Sequence, residues 1–414
     1  MFLKHRKRKE VSLLNWRKNL WMLTVAVWLS ASSYTMIVPF LPLYLLDIGV
    51  APEDVTIWSG LVFSVTFLVA AIMAPYWGRS ADKGGKRRMV IRAGFSLAVV
   101  YFLGALVRNP VELLIVRILQ GFANGFLPAA MAIVASTSPK KSMGFSLGLI
   151  QTGVLIGGIM GPLLGGILSH YFGMRASFVI AAVVIAIGTI GVKLLVEEPE
   201  TQSMQDKKSI LDDFKLAFAN RKLVEMLLLL FSVQAVSMVL QPLITLYVAQ
   251  LQGKTEGVVL TAGIIFSLAG IAGAIAAPMW GRVGQQRGFR KIMVIAFIGA
   301  GVFNLSQFFS GEIYRFALLQ FMYGLFVVGV YPAINTIAVS CTGEQGKGQV
   351  FGLTTTANQL GSMVGPLIGG VLSSFLGIRA VFLVTGSVLL LLGGAVLLNT
   401  SALPRHSQVS VRER

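Results

Sequence analysis

Three short stretches of this chain carry residue types at spacings that could do mechanical or proton-handling work. The first runs Gly78-Arg79-Ser80-Ala81-Asp82-Lys83-Gly84-Gly85-Lys86-Arg87. Gly78 and Gly85 permit a tight turn. Asp82 can accept hydrogen bonds from a helix N-terminus or from an arginine. Lys83, Lys86 and Arg87 form a basic cluster suited to anionic headgroups. The second stretch is Arg117-Ile118-Leu119-Gln120-Gly121, inside an apolar run. A guanidinium there is costly unless it is paired or faces water. Arg117 either snorkels to the nearby helix end or turns into an interior cavity. The third is Gly148, then Gly157, Gly161-Pro162 and Gly165-Gly166. Spacings of four place Gly157, Gly161 and Gly165 on one helix face, where a neighbouring helix can approach closely. Pro162 removes a backbone hydrogen bond and favours a kink.

Other chemistries find little support. The chain has one cysteine, Cys341, and three histidines, His5, His170 and His406, far apart. That leaves no disulfide framework, no metal spacing and no nucleophile–base arrangement, so neither an enzyme nor a metal or other cofactor is expected. There are 17 Asp and Glu residues, and none falls in the middle of an apolar run. Asp47 and Glu112 sit near one edge of such runs, Asp82 and Glu225 near the other. A desolvated carboxylate could titrate near neutral pH, which makes these four and Arg117 the candidates for handling protons.

The elements that must position these residues are apolar helices. Of 414 residues, 55% are hydrophobic and 13% charged, against about 25% charge in an ordinary soluble domain. Mean hydropathy is +0.77. Apolar runs of about 20 residues or more, the length that crosses hydrocarbon, fall at 21–46, 57–77, 89–108, 111–134, 145–169, 175–196, 223–249, 259–280, 291–310, 314–340, 349–373 and 379–400. The longest polar interruption, 197–222, divides them six and six. It is read as a cytoplasmic linker between a bundle at 21–196 and a bundle at 223–400, with a basic N-terminus at 1–20 and a tail at 401–414. Residues 210–219 could form a short amphipathic surface helix or plain linker.

Charge sets the orientation. Most of the 35 Lys and Arg lie in the termini, the 78–88 turn, the linker and the alternate loops on that side. The opposite loops hold only Arg108, Arg175, Lys254, Arg315 and Arg379. The positive-inside rule then puts both termini in the cytoplasm of a multi-pass cell-membrane protein. It also accounts for the net charge of +18 with no nucleic-acid partner.

The halves repeat. Ala71-Ile-Met-Ala-Pro-Tyr-Trp-Gly-Arg79 matches Ala274-Ile-Ala-Ala-Pro-Met-Trp-Gly-Arg282. Pro39 and Tyr44 map to Pro242 and Tyr247 at the same offset. One residue further on, Gly148, Gly157, Gly161, Pro162, Gly165 and Gly166 map to Gly352, Gly361, Gly365, Pro366, Gly369 and Gly370. Parallel repeats of six helices are related by an axis along the membrane normal, with a substrate site between them near the midplane. Polar residues within the spans that could line it are Ser33, Tyr34, Thr35, Gln120, Asn124 and Gln151 in the first half. The second half offers Gln234, Gln241, Tyr323, Asn335, Thr355, Asn358 and Gln359. Each could equally make a helix–helix hydrogen bond.

The 78–87 stretch resembles the GxxxD(R/K)xG(R/K)(R/K) motif of the major facilitator superfamily. Arg117 to Gly121 resembles that family's RxxQG motif. The glycine-proline pattern from Gly148 to Gly166, repeated from Gly352 to Gly370, resembles the antiporter motif of its drug exporters. The resemblance implies an all-α membrane protein of twelve transmembrane helices in two pseudo-twofold-related six-helix bundles. It implies a latch in which Asp82 keeps the cytoplasmic side closed in the outward-facing state, and a role for Arg117 in proton coupling. The second half departs from the pattern. Gln285 stands at the Asp82 position, Phe289 at Lys86 and Gln320 at Arg117, so any latch or charge there is weaker. The activity this resemblance implies is export of small amphiphilic compounds by a monomer that exchanges substrate for protons across the bilayer. With Arg117 and no mid-span acid, neutral, zwitterionic or anionic compounds should be preferred over lipophilic cations. A lipid translocator of the same fold, an importer and a non-transporting sensor are the alternatives.

Overall fold

The computed structural model describes residues 2–198, 220–253, 256–341 and 347–398. Most of the predicted linker and tail, including the 210–219 segment, lies outside them. The side chains of residues 2–15, Arg79, Asp82, Lys83, Lys140, 347–349 and Phe351 also lie outside. Among the described residues the chain is helical, without strands. We number the α-helices α1 Phe2–Thr35, α2 Leu41–Asp47, α3 Val55–Gly84, α4 Lys86–Leu106, α5 Pro110–Ala123, α6 Phe126–Thr137 and α7 Met143–Leu195 in the first half. The second half holds α8 Arg221–Gln252, α9 Val258–Arg287, α10 Phe289–Ser306, α11 Ile313–Val327, α12 Val330–Ser340, α13 Lys347–Leu376 and α14 Ile378–Leu398.

Ten stretches among the described residues are long and apolar enough to cross a membrane. One of them, α7, is two helices meeting at Gly173, with φ 82° and ψ 162°. Gly377, at φ 79°, makes the matching turn between α13 and α14. The predicted first span, 21–46, is not among the ten. Ser30, Ser32, Ser33, Tyr34 and Thr35 dilute its apolar character, and the chain leaves the helix at 36–40 before α2 continues it. The spans predicted at 111–134 and 314–340 are likewise interrupted, α5 giving way to α6 and α11 to α12.

Local chemistry explains the ends. Asn109 Oδ1 accepts from Glu112 N at 2.9 Å, with Pro110 in the first turn of α5. Asn220 Oδ1 accepts from Leu223 N at 3.2 Å at the start of α8. Such caps satisfy helix donors that have no intrahelical partner. Large exposed apolar side chains such as Ile72, Val99, Val302 and Leu391 form a girdle that suits hydrocarbon and not water.

The internal repeat appears in the packing. Tyr44 donates to Gly104 O at 3.0 Å and lies against Phe178. Its mate Tyr247 donates to Ser310 O at 2.7 Å and lies against Phe382. Trp77 Nε1 donates to Phe122 O at 2.9 Å, and Trp280 Nε1 to Leu325 O at 2.7 Å. The halves cross at small residues. A Cβ on Gly166 would meet Leu260 and Val259, and one on Gly370 would meet Thr56 and Ile57. Ser267 Oγ donates to Ile159 O across the same boundary at 2.6 Å.

Candidate functional site

A cavity of about 370 Å³ lies in the first half, bounded by α1, α3, α4, α5, α6 and α7. Its polar points are Ser30, Tyr34, Thr35, Thr66, Tyr101, Gln120 and Asn124, set in an apolar wall that includes Phe67, Leu97, Phe126 and Val154. Four of the residues singled out from sequence therefore meet here: Tyr34, Thr35, Gln120 and Asn124. Gln151 does not line it, and its amide faces Met131 Sδ at 4.0 Å. Tyr101 and Thr66 were not legible as site residues, because neither stands out in its own apolar run.

Arg117 stands behind this wall. It is only 4% exposed. Its Nη1 donates to Gln120 Oε1 at 2.6 Å, and Gln120 Nε2 reaches the Tyr101 hydroxyl at 3.4 Å. Its Nε has no partner, and Cζ lies 5.8 Å from the Phe63 ring centroid. The side chain does not snorkel; it turns inward and links to the cavity through Gln120. No described carboxylate pairs with it.

The four acids considered for proton handling are dispersed. Glu112 is engaged in the α5 cap, accepting from Arg108 N at 2.8 Å and Asn109 Nδ2 at 2.7 Å. Glu225 pairs with Arg221 at 3.4 Å near the start of α8. Asp47 is exposed at the end of α2. The Asp82 side chain lies outside the described ones.

Polar residues of the second half form a separate cluster. The Tyr331 hydroxyl donates to Gln234 Oε1 at 2.9 Å, and Gln234 Nε2 to Ser362 Oγ at 2.9 Å. The Ser237 and Tyr323 hydroxyls lie 3.4 Å apart. Gln241 Oε1 and Asn358 Oδ1 are buried without partners. Asn335 and Gln359 are half-buried, and neither lines the first-half cavity.

The 78–87 turn differs from the expectation of two turning glycines. α3 stays helical through Gly78 to Gly84, and Gly85 alone turns the chain, at φ 92°. Beyond it, Lys86 N and Arg87 N both donate to the Glu198 carboxylate at 2.9 Å. A carboxylate on the first free N–H groups of a helix also meets the positive end of its dipole. Arg87 Nη2 donates to Lys193 O at 2.5 Å, as Arg290 donates to Val396 O and Leu397 O in the second half. Glu198 thus ties the chain just past α7 to the turn, and Asn19 brackets its neighbour through Glu197 O and N at 2.7 and 3.0 Å. Sequence could not show this, since the partners are over a hundred residues apart. Glu198→Ala should cost about 1 kcal/mol, the usual worth of a helix cap, read as a lower thermal midpoint in detergent. An unchanged midpoint would refute the cap.

The glycine face of α7 packs on α1. A Cβ on Gly157 would lie 2.6 Å from Ala31 Cβ, and one on Gly161 would lie 2.8 Å from Ser32 O and collide with Thr35. Thr35 Oγ1 donates to Gly157 O at 2.9 Å. Gly148 has open space around it. The backbone keeps helical angles through Pro162, and the residue inside α7 with non-helical angles is Gly173.

The sequence profile of the Major Facilitator Superfamily matches residues 23–274 and 257–413. The chain belongs to the major facilitator superfamily. It is a multi-pass membrane transporter of that fold and not an enzyme. Multidrug resistance protein MdtG of Salmonella paratyphi A is 32% identical over 379 residues, covering 91% of this chain and 94% of the relative. The protein of the same name from Salmonella arizonae is 33% identical over 380 residues, covering 91% and 94%. Among solved structures, the nucleoside transporter NupG superposes with a TM-score of 0.78 at 17% identity, covering 92% of this chain and 98% of that one. A bacterial homologue of the human lysosomal transporter Spinster, inward-facing and unoccupied, gives 0.77 at 16% identity, covering 94% and 98%. These structures bear on the fold alone.

Proposed function

We propose that this transporter exports small amphiphilic compounds, drugs among them, from the cell in exchange for protons. One observation carries the reading: an apolar-walled cavity with scattered polar points, backed by a buried arginine that no described carboxylate neutralises. Such a wall suits loosely defined amphiphiles, and a few polar groups suffice to orient them. The names of the MdtG relatives support drug export. The glycine pattern on α7 and α13 supports the antiporter branch.

In this reading the chain crosses the membrane twelve times with both termini cytoplasmic, and the linker 197–222 joins bundles 21–196 and 223–400. The bundles rock about the substrate. The crossings at Thr56, Gly60, Pro162, Gly166, Leu260, Gly263, Pro366 and Gly370 lie away from the 78–87 turn. That distribution supports a state closed on the outside and open to the cytoplasm. Asp82 then acts when the turn closes, and Glu112, Glu225, Asp47 and Asp82 remain the candidates for carrying the proton. A monomer suffices, since each chain holds both bundles.

The test is flux of a chemically varied panel in proteoliposomes, with and without a pH gradient. Uptake of anionic and zwitterionic amphiphiles should exceed that of permanent lipophilic cations and rise with the gradient. Strong transport of ethidium-like cations with weak handling of anions would refute the preference. No gradient dependence would refute proton exchange.

A further inference from the structure

The break between α5 and α6 is closed by a device that the second half lacks. α5 ends at Ala123, Asn124 leaves the helix at φ −58° and ψ 167°, and Gly125 takes φ 116°. A helix that stops inside a membrane leaves carbonyls that lipid cannot satisfy. Here Trp77 Nε1 donates to Phe122 O at 2.9 Å. Arg92 Nη2 donates to Asn124 O at 3.0 Å, and Nη1 to Phe122 O at 3.4 Å. The guanidinium stacks on the indole, with Cζ 3.5 Å from the ring centroid. A cation at a helix C-terminus also opposes the negative end of the dipole, and an arginine on an aromatic face gains cation–π attraction.

In the second half the corresponding break, at Val328 and Gly329, keeps right-handed helical angles. Trp280 repeats the indole–carbonyl bond, yet Ile295 stands where Arg92 would be. The second half frees no such carbonyl and carries no arginine, so Arg92 belongs to the broken path of the first half, either to hold it or also to pass its movement on. Its surroundings indicate which. Asn124, whose carbonyl it holds, lines the cavity one turn after Gln120. Trp77, on which it stacks, directly precedes Gly78, and Arg92 itself is on α4, which starts from the Gly85 turn.

We propose that Arg92 is a positioning residue coupling the cavity to the 78–87 turn: its clasp on Trp77 and the end of α5 passes displacement of Gln120 and Asn124 to that turn. This rests on the proposed transport function. A substrate shifting the end of α5 then moves α3 and α4 with it. Without the clasp, the cavity fills but the turn responds slowly.

The experiment compares the unsubstituted protein, Arg92→Ile, which copies the second half, and Arg92→Lys, which keeps charge but not the fork. Each carries Cys341→Ser and a reporter thiol, Ser80→Cys, labelled by an impermeant maleimide with and without a transported compound. Arg92→Ile should lower maximal flux about tenfold, with half-saturation changed less than about twofold, as loss of a conformational step does. It should also abolish the substrate-dependent change in labelling while leaving the thermal midpoint nearly unmoved. Arg92→Lys should fall between. Arg92→Ile with full flux and a full labelling response overturns the coupling. Failure of Arg92→Ile to fold overturns it too, assigning Arg92 to stability. Absence of flux in the unsubstituted protein overturns the transport function and this inference together.

Discussion

Arg117→Met is expected to lower transport of anionic compounds about a hundredfold while changing the yield of folded protein little. The expectation follows from the environment of the side chain. Arg117 is 4% exposed, bonded to the neutral Gln120 amide, and has an unpartnered Nε. A buried cation without an opposite charge is poorly compensated. Its free energy improves when a ligand brings an anionic group within reach, and truncating one partner of such a buried charged contact costs about 2–5 kcal/mol. At 1.4 kcal/mol per factor of ten, the middle of that range is on the order of a hundredfold. Methionine matches the stem of arginine and removes the isolated charge, so the fold should gain as much as it loses. Arg117→Lys should restore part of the activity, since it keeps charge and loses the fork. The measurement is initial flux across an anionic, a zwitterionic and a neutral amphiphile. Equal losses for all three would show that Arg117 serves the transport cycle and not substrate recognition. No loss for any would remove it from the site.

The second large effect separates glycines that the motif treats alike. Gly161→Ala and Gly165→Ala should each abolish transport and lower the thermal midpoint by several degrees. Gly148→Ala, in the same pattern, should do neither. A methyl on Gly161 would meet Ser32 O and the Thr35 side chain, and one on Gly165 would meet the Met36 backbone. Those atoms belong to the last turn of α1 and the residue just past it, next to Tyr34 and Thr35 of the cavity wall, so separating the helices disturbs both as well. Overpacking of this kind costs about 1–3 kcal/mol where the obstacle can shift, and backbone shifts little. Around Gly148 there is open space. Thermal unfolding in detergent and flux in proteoliposomes read both parts. A damaged Gly148→Ala beside an intact Gly161→Ala would refute the packing described here. Gly352, the mate of Gly148, is also unobstructed, and Gly365 meets Ala235 O, so the same contrast should recur in α13.

Much of this molecule is legible in the residues alone. Hydropathy runs dictate helices, because unpaired backbone groups have no solvent in hydrocarbon. The repeated Trp-Gly-Arg and Gly-Pro-x-x-Gly-Gly segments dictate two related halves. Tyr34, Thr35, Gln120 and Asn124 were legible as candidate lining residues because polarity inside an apolar span demands a partner or a cavity.

What sequence could not decide depends on contacts across long separations. Periodicity places Gly157, Gly161 and Gly165 on one face but does not say which helix they meet; tertiary packing puts α1 there and leaves Gly148 open. Arg117 could have snorkelled or turned inward, and only the position of Gln120 and Tyr101 around it settled the direction. Asn124-Gly125 and Pro39 are local turn signals, but an apolar run does not by itself say whether the helix breaks there or what closes the break; at the first, the freed carbonyls are satisfied by Trp77 and Arg92 on other helices. Glu198 reads as one acid among several in a polar linker until folding sets it on the first N–H groups of α4. Local sequence determines which groups need partners. Only the tertiary structure determines who supplies them, since a hydrogen bond or a collision is a property of distance in space and not of spacing along the chain.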